Sequence, residues 1–98
     1  MCGIAGYVGS GSKKIDDMIR TLGHRGPDSR GSVSERVSGK LVELGHTRLS
    51  ILDLSSLGNQ PMLSDDSSVV VVFNGEIYNF KELKTQHLSK SQFASNTD

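Results

Sequence analysis

Apolar residues change their spacing several times along the 98-residue chain. Ile4 to Val8 is a short, mostly apolar run, which predicts a strand at the start. Gly9-Ser10-Gly11 ends it. Ile15, Met18, Ile19 and Leu22 then recur at i, i+3, i+4 and i+7, one face of a helix. Ser12 stands as its N-cap, Asp16 and Asp17 suit its first turns, and Gly23 closes it. Residues 24–31 form a rigid polar loop, in which Pro27 fixes its own φ and pushes Gly26 out of the helical region. Val33 to Leu44 alternates polar and apolar positions, predicting two short strands joined around Ser38-Gly39-Lys40.

Gly45 to Asp53 predicts a further strand. Leu49, Ile51 and Leu54 would pack inward, leaving Arg48 and Ser50 on the other face. Ser55 to Ser68 reads as loop, tightest at Gly58-Asn59-Gln60-Pro61, with Asp65-Asp66 solvated. Val69 to Phe73 is the strongest strand signal, five β-formers in a row that imply burial on both faces. Asn74-Gly75 follows, the dipeptide of a type I′ hairpin turn. From Asn79, an N-cap, Phe80, Leu83, Lys84, His87 and Leu88 give a weaker amphipathic helix, and Gln92-Phe93-Ala94 begins another strand.

Composition bounds what such a chain can do. Ninety-eight residues make one small domain or part of one. Eleven basic and eleven acidic residues cancel, so no global field draws nucleic acid or an anionic membrane. A single cysteine excludes an internal disulfide framework and suits a reducing compartment. No apolar run is long enough to span a membrane and no signal segment precedes the first charges, so the expected location is the cytoplasm. The histidines, at 24, 46 and 87, show no metal-ligand spacing with that cysteine. Gly6 and Gly11 have the spacing of a phosphate loop, but Ser12 stands where its lysine belongs.

The chemistry-bearing candidate is Cys2. A small residue behind the initiator methionine usually allows that methionine to be removed. An N-terminal cysteine would carry both a nucleophile and a base, since a free α-amine has a pKa of about 7.7–8.0. A plainer reading is a small residue heading a strand. Arg25 and Asp28 read either as a local ion pair or as the wall of a site. Arg48 suits a surface salt bridge or a bidentate grip on a carboxylate. Asn74 and Gly75 are a turn, or two donors aimed at one oxyanion.

Taken in order, Cys2-Gly3-Ile4-Ala5-Gly6, His24-Arg25-Gly26-Pro27-Asp28, Arg48-Leu49-Ser50-Ile51, Gln60-Pro61-Met62 and Phe73-Asn74-Gly75-Glu76-Ile77-Tyr78-Asn79 resemble the glutaminase domain of glutamine-hydrolysing asparagine synthetases. These are class II glutamine amidotransferases with the N-terminal-nucleophile hydrolase fold. The resemblance implies an α+β, four-layer αββα sandwich, of which residues 1–98 would be the N-terminal part. It implies Cys2 as nucleophile with its α-amine as base, and Asn74 and Gly75 as the oxyanion hole. Arg48 would clamp the α-carboxylate of L-glutamine, and the backbone of Leu49, Ser50, Ile51 and Leu52 would line that pocket. Glu76 and Asp98 would face its α-ammonium. The physical requirement agrees: a zwitterion needs one fixed cation and fixed anions around it, with a nucleophile and oxyanion donors at its side-chain amide.

In the family a synthetase domain in cis takes the ammonia and uses ATP and Mg2+ to make asparagine from aspartate. The glutaminase part would itself need no cofactor, and the parent enzyme could form a homodimer. Two other readings stay open. One is a non-catalytic remnant that binds glutamine or a partner. The other is a Cys/His hydrolase with His24 or His46 as base.

Overall fold

The computed structural model describes residues 1–51 and 54–93. Its longest alternating stretch folds as a hairpin of β2 (Ser29–Val37) and β3 (Lys40–Arg48). Ser38 and Gly39 join them with φ of 52° and 79°, the left-handed pair that a two-residue I′ turn requires. β1 (Gly3–Gly9) pairs antiparallel along the other edge of β3, giving the order β1-β3-β2. Gly3 lies opposite Thr47 and Ser29 opposite Arg48.

The pleat sorts β3 between two environments. Leu41, Glu43, Gly45 and Thr47 are buried on the face that receives α1 (Ile15–Thr21). Ile15 and Ile19 of α1 are buried there. Gly45 makes their approach possible: a Cβ on it would collide with Ile19 Cγ2 and come within 2.9 Å of the Ile15 side chain. On the opposite face Ile4 and Val8 stay exposed.

The start of α1 departs from expectation. Lys14, not Ser12, occupies the N-cap and has no side-chain cap. Glu43 reaches up from β3 instead, its Oε1 accepting the Lys14 N–H at 2.8 Å and its Oε2 the Ser34 hydroxyl at 2.6 Å. A sheet carboxylate thus satisfies a donor that the helix end leaves open and sits at the positive end of its dipole. The Ser34 hydroxyl foremost, then the Lys14 and Ile15 N–H groups, hold its pKa below the usual value against the opposing effect of burial.

Other expectations are corrected in the same way. Ser29 to Gly31, expected in the polar loop, extends β2 because β3 offers partners as far as Arg48. Gly45 to Arg48 completes β3, and the strand ends there. Ile51 and Leu54 are exposed and do not pack inward; Leu52 and Asp53 lie outside the described residues. Arg25 and Asp28 each turn to a backbone group, the Cys2 carbonyl and the Ser50 N–H, rather than to each other.

A 3-10 turn (Ser56–Gly58) leads to a small second sheet of β4 (Met62–Leu63) and β5 (Val70–Val71). The run Val69 to Phe73 is therefore not buried on both faces. Among the described residues it has one short partner, and Val69, Val71 and Phe73 are exposed. Neither Asn74 nor Gly75 has positive φ, so the I′ turn expected there is absent. α2 (Phe80–His87) follows with Asn79 at its N-cap, making no side-chain cap, and no buried residue. Gln92 and Phe93 are not strand, and Ala94 lies outside the described residues. The chain is α+β; the four-layer sandwich is not seen among the described residues, where one helix covers one face of the main sheet.

Two outcomes are expected. Gly45→Ala overpacks the α1 contact and should cost about 1–3 kcal/mol, read by urea unfolding. Glu43, with its folded pKa lowered, contributes fully above the unfolded value near 4.5 and loses that contribution as pH falls through the folded value. Glu43→Gln should therefore give a shallower acid limb in a plot of unfolding free energy against pH. An unchanged limb would show that the carboxylate is not what α1 responds to.

Candidate active site

The antiparallel pairing of β1 with β3 sets Cys2, one residue before β1, beside Leu49, one residue after β3. The Leu49 N–H donates to Cys2 Sγ at 3.4 Å, and the Leu49 carbonyl lies 3.7 Å from Sγ. The first contact stabilises a thiolate and the second accepts a thiol proton. Arg25, on the turn after α1, donates from Nε to the Cys2 carbonyl at 3.0 Å. The residue carrying the thiol is therefore held from two sides.

Cys2 opens onto a cleft of about 1110 Å3. Arg48, Leu49, Ile51, Asn74, Gly75 and Glu76 line it as well. Ser50 lies instead in an adjoining cavity of about 370 Å3 with Asp28, Ser29, Arg48, Ser55 and Asn59, where Asp28 Oδ2 accepts the Ser50 N–H at 2.7 Å. Arg48 borders both spaces. It is 6% exposed. Its Nη1 donates to the Ser55 carbonyl at 2.6 Å and to Asn59 Oδ1 at 2.8 Å. Gly58 leaves room for this guanidinium, since a Cβ there would collide with Nη2. The result is a cation fixed in orientation at the base of the cleft.

His46 also borders the cleft but is buried. Its Nε2 lies 3.2 Å from the Phe73 carbonyl. A carbonyl only accepts, so Nε2 carries the proton and Nδ1 is bare; Nδ1 is buried with no partner. Burial lowers the His46 pKa, the Arg48 charge lowers it further, and the Phe73 carbonyl acts in the opposite sense. The ring is neutral near pH 7. The hydrogen-bond partners of Sγ are both on Leu49, and His24 is exposed. Among the described residues no hydrogen bond joins Sγ to either histidine, and His46 turns its Nε2 to Phe73.

Most of the sequence-derived residues thus meet: Cys2, Arg48, Leu49, Ile51, Asn74, Gly75 and Glu76 share one cleft and Ser50 its neighbour. Leu52 and Asp98 lie outside the described residues. Sequence reasoning missed Arg25 as a support for Cys2, because its nearest opposite charge along the chain, Asp28, offered a simpler partner. It also missed the contact of His46 with Phe73, which spans 27 residues and leaves no local signal.

Residues 1–98 match the glutamine amidotransferase domain model, and the chain belongs to that family. It is 35% identical over 116 aligned positions to the putative asparagine synthetase (glutamine-hydrolyzing) 2 of Methanocaldococcus jannaschii. It is 38% identical over 114 positions to amidase chyE of Penicillium rubens, and 38% over 106 to asparagine synthetase (glutamine-hydrolyzing) 2 of Bacillus subtilis. Each alignment takes in 100% of this chain but only 22%, 16% and 13% of those relatives, in that order.

Arg25→Leu removes a charged donor from the Cys2 carbonyl. It should lower stability by about 1.5–3 kcal/mol, read as a shift in urea midpoint with unchanged slope. An unmoved midpoint would mean that the bond adds nothing.

Proposed function

We propose that this domain hydrolyses L-glutamine to glutamate and ammonia through a thioester on Cys2. The observation that carries the reading is Sγ held against Leu49 at the edge of a cleft that also contains Arg48, Asn74 and Gly75.

Removal of Met1 frees the Cys2 α-amine; with Met1 attached that nitrogen is an amide and takes no proton. The amine accepts the thiol proton, and Sγ attacks the side-chain amide carbon of glutamine. The Asn74 side-chain amide and the Gly75 N–H receive the oxyanion. The ammonium proton passes to the departing nitrogen as the C–N bond breaks, leaving ammonia and a glutamyl thioester. Water then attacks with the amine as base, the C–S bond breaks, and glutamate and the thiol are restored. Arg48 holds the α-carboxylate beside the backbone of Leu49 to Ile51, and the family resemblance extends that lining to Leu52. Glu76 faces the α-ammonium, and the family resemblance gives the same role to Asp98.

In the whole protein this ammonia would feed asparagine synthesis from aspartate in a synthetase domain that uses ATP and Mg2+. The asparagine synthetase names of the relatives support that assignment, and their greater length leaves room for the second domain. Residues 1–98 would then be the N-terminal part of the glutaminase domain. The Gly6 and Gly11 spacing does not make a phosphate loop: Gly6 lies within β1 opposite Leu44. No step in this domain is routed through ATP. A homodimer and a cytoplasmic location accompany the same reading, the latter because a single cysteine suits a reducing compartment. A non-catalytic remnant is the weaker alternative, since a nucleophile, a fixed cation and amide donors all line one cleft.

In the intact protein, Cys2→Ala should abolish ammonia release from glutamine. Arg48→Gln should raise the KM for glutamine about tenfold to a hundredfold, the loss of one charge-assisted contact. Unchanged turnover in Cys2→Ala would reject the mechanism.

A further inference from the structure

The residue just before Asn74 is held by side chains on both of its backbone polar groups. The Phe73 N–H donates to Gln60 Oε1 at 2.5 Å, and Gln60 Nε2 donates to the Phe73 carbonyl at 3.2 Å. The register of the second sheet explains this arrangement. Met62 lies opposite Val71 and Leu63 opposite Val70. Continued past the end of the ladder, Gln60 falls opposite Phe73. At that rung an antiparallel strand would exchange two backbone hydrogen bonds. Gln60 makes the exchange with its side-chain amide, which presents the donor and acceptor of a peptide group. His46 Nε2, at 3.2 Å, supplies a second donor to the same carbonyl.

The main sheet makes room for the clamp. Gly31 of β2 lies opposite His46. A Cβ on Gly31 would collide with the Gln60 carbonyl and come 3.1 Å from Pro61 Cδ. The segment carrying Gln60 therefore rests on the strand next to His46. Regular structure ends at β5 and resumes only at α2, so Asn74 and Gly75 lie in a stretch without a strand ladder.

The geometry points to Gln60 and His46 as positioning residues that aim the Asn74 amide and the Gly75 N–H at the reacting carbonyl. This role rests on the proposed hydrolysis of glutamine at Cys2. Oxyanion donors act by being fixed in place before charge develops, and a displacement of about 1 Å costs about a hundredfold in rate. Gln60 borders the same cleft, and its side-chain amide is taken up by the Phe73 peptide, through which it acts.

Gln60→Met in the intact protein keeps the side-chain length and removes both hydrogen bonds. Its kcat for ammonia release should fall about tenfold to a hundredfold, with the KM for glutamine moving less than about threefold. Alkylation of Cys2 by iodoacetamide should keep its rate, because it needs a thiolate but no oxyanion donor. Added to Asn74→Ala, Gln60→Met should cost no more than about a further threefold, since both act through the same donors. Gln60→Asn, one methylene short of Phe73, should show the same pattern and serves if the methionine variant folds poorly. A kcat within about twofold of the unaltered protein, or losses that multiply in full with Asn74→Ala, would overturn the positioning role. Ammonia release that survives Cys2→Ala would overturn the underlying hydrolysis instead.

Discussion

The site depends first on the register of β1 against β3. Gly3 opposite Thr47 puts the second residue of the chain beside Leu49 and next to the buried guanidinium of Arg48. A slip of one residue would turn every side chain of β1 to the other face. Steric limits on the helix side oppose that slip. A Cβ at position 3 would come 2.8 Å from Thr47 Oγ1 and 3.2 Å from Leu22 Cβ, so Ile4 has no space there. Small residues under α1 thus determine where a thiol outside the sheet is presented.

Two carboxylates and two cations stiffen this arrangement from different sides. Glu43 ties α1 to β3, and Asp28 ties the Ser50 backbone to the turn before β2. Arg25 fixes the Cys2 carbonyl, and Arg48 is gripped by the turn that contains Ser55 and Asn59. In each of these contacts a charged side chain meets backbone groups or a neutral side chain, an arrangement that holds direction better than a mobile surface ion pair. Burial and the Arg48 charge both favour the neutral form of His46.

Local periodicity made β1, α1 and the β2–β3 hairpin legible, because each carries its own spacing of apolar positions. The resemblance grouped Cys2, Arg48, Asn74 and Gly75 as one set, and they line one cleft. What failed was long-range. Ser12 had the right character for a cap, but Glu43, far along the chain, took the role. Val69 to Phe73 looked like a central strand because its residues favour one, whereas its partners decide its burial. Asn74-Gly75 had the composition of an I′ turn, yet Ser38-Gly39 adopts it, since it joins two long strands that demand that twist. The Gln60 and His46 contacts with Phe73 join separate elements and could not be read from spacing.

Mass spectrometry of the N-terminal peptide, from intact protein quenched with acid during turnover of glutamine, addresses the nucleophile and its base together. A peptide that begins at Cys2 and carries a glutamyl adduct is the expected result. Protein that retains Met1 and still releases ammonia from glutamine would contradict a thiol activated by its own α-amine.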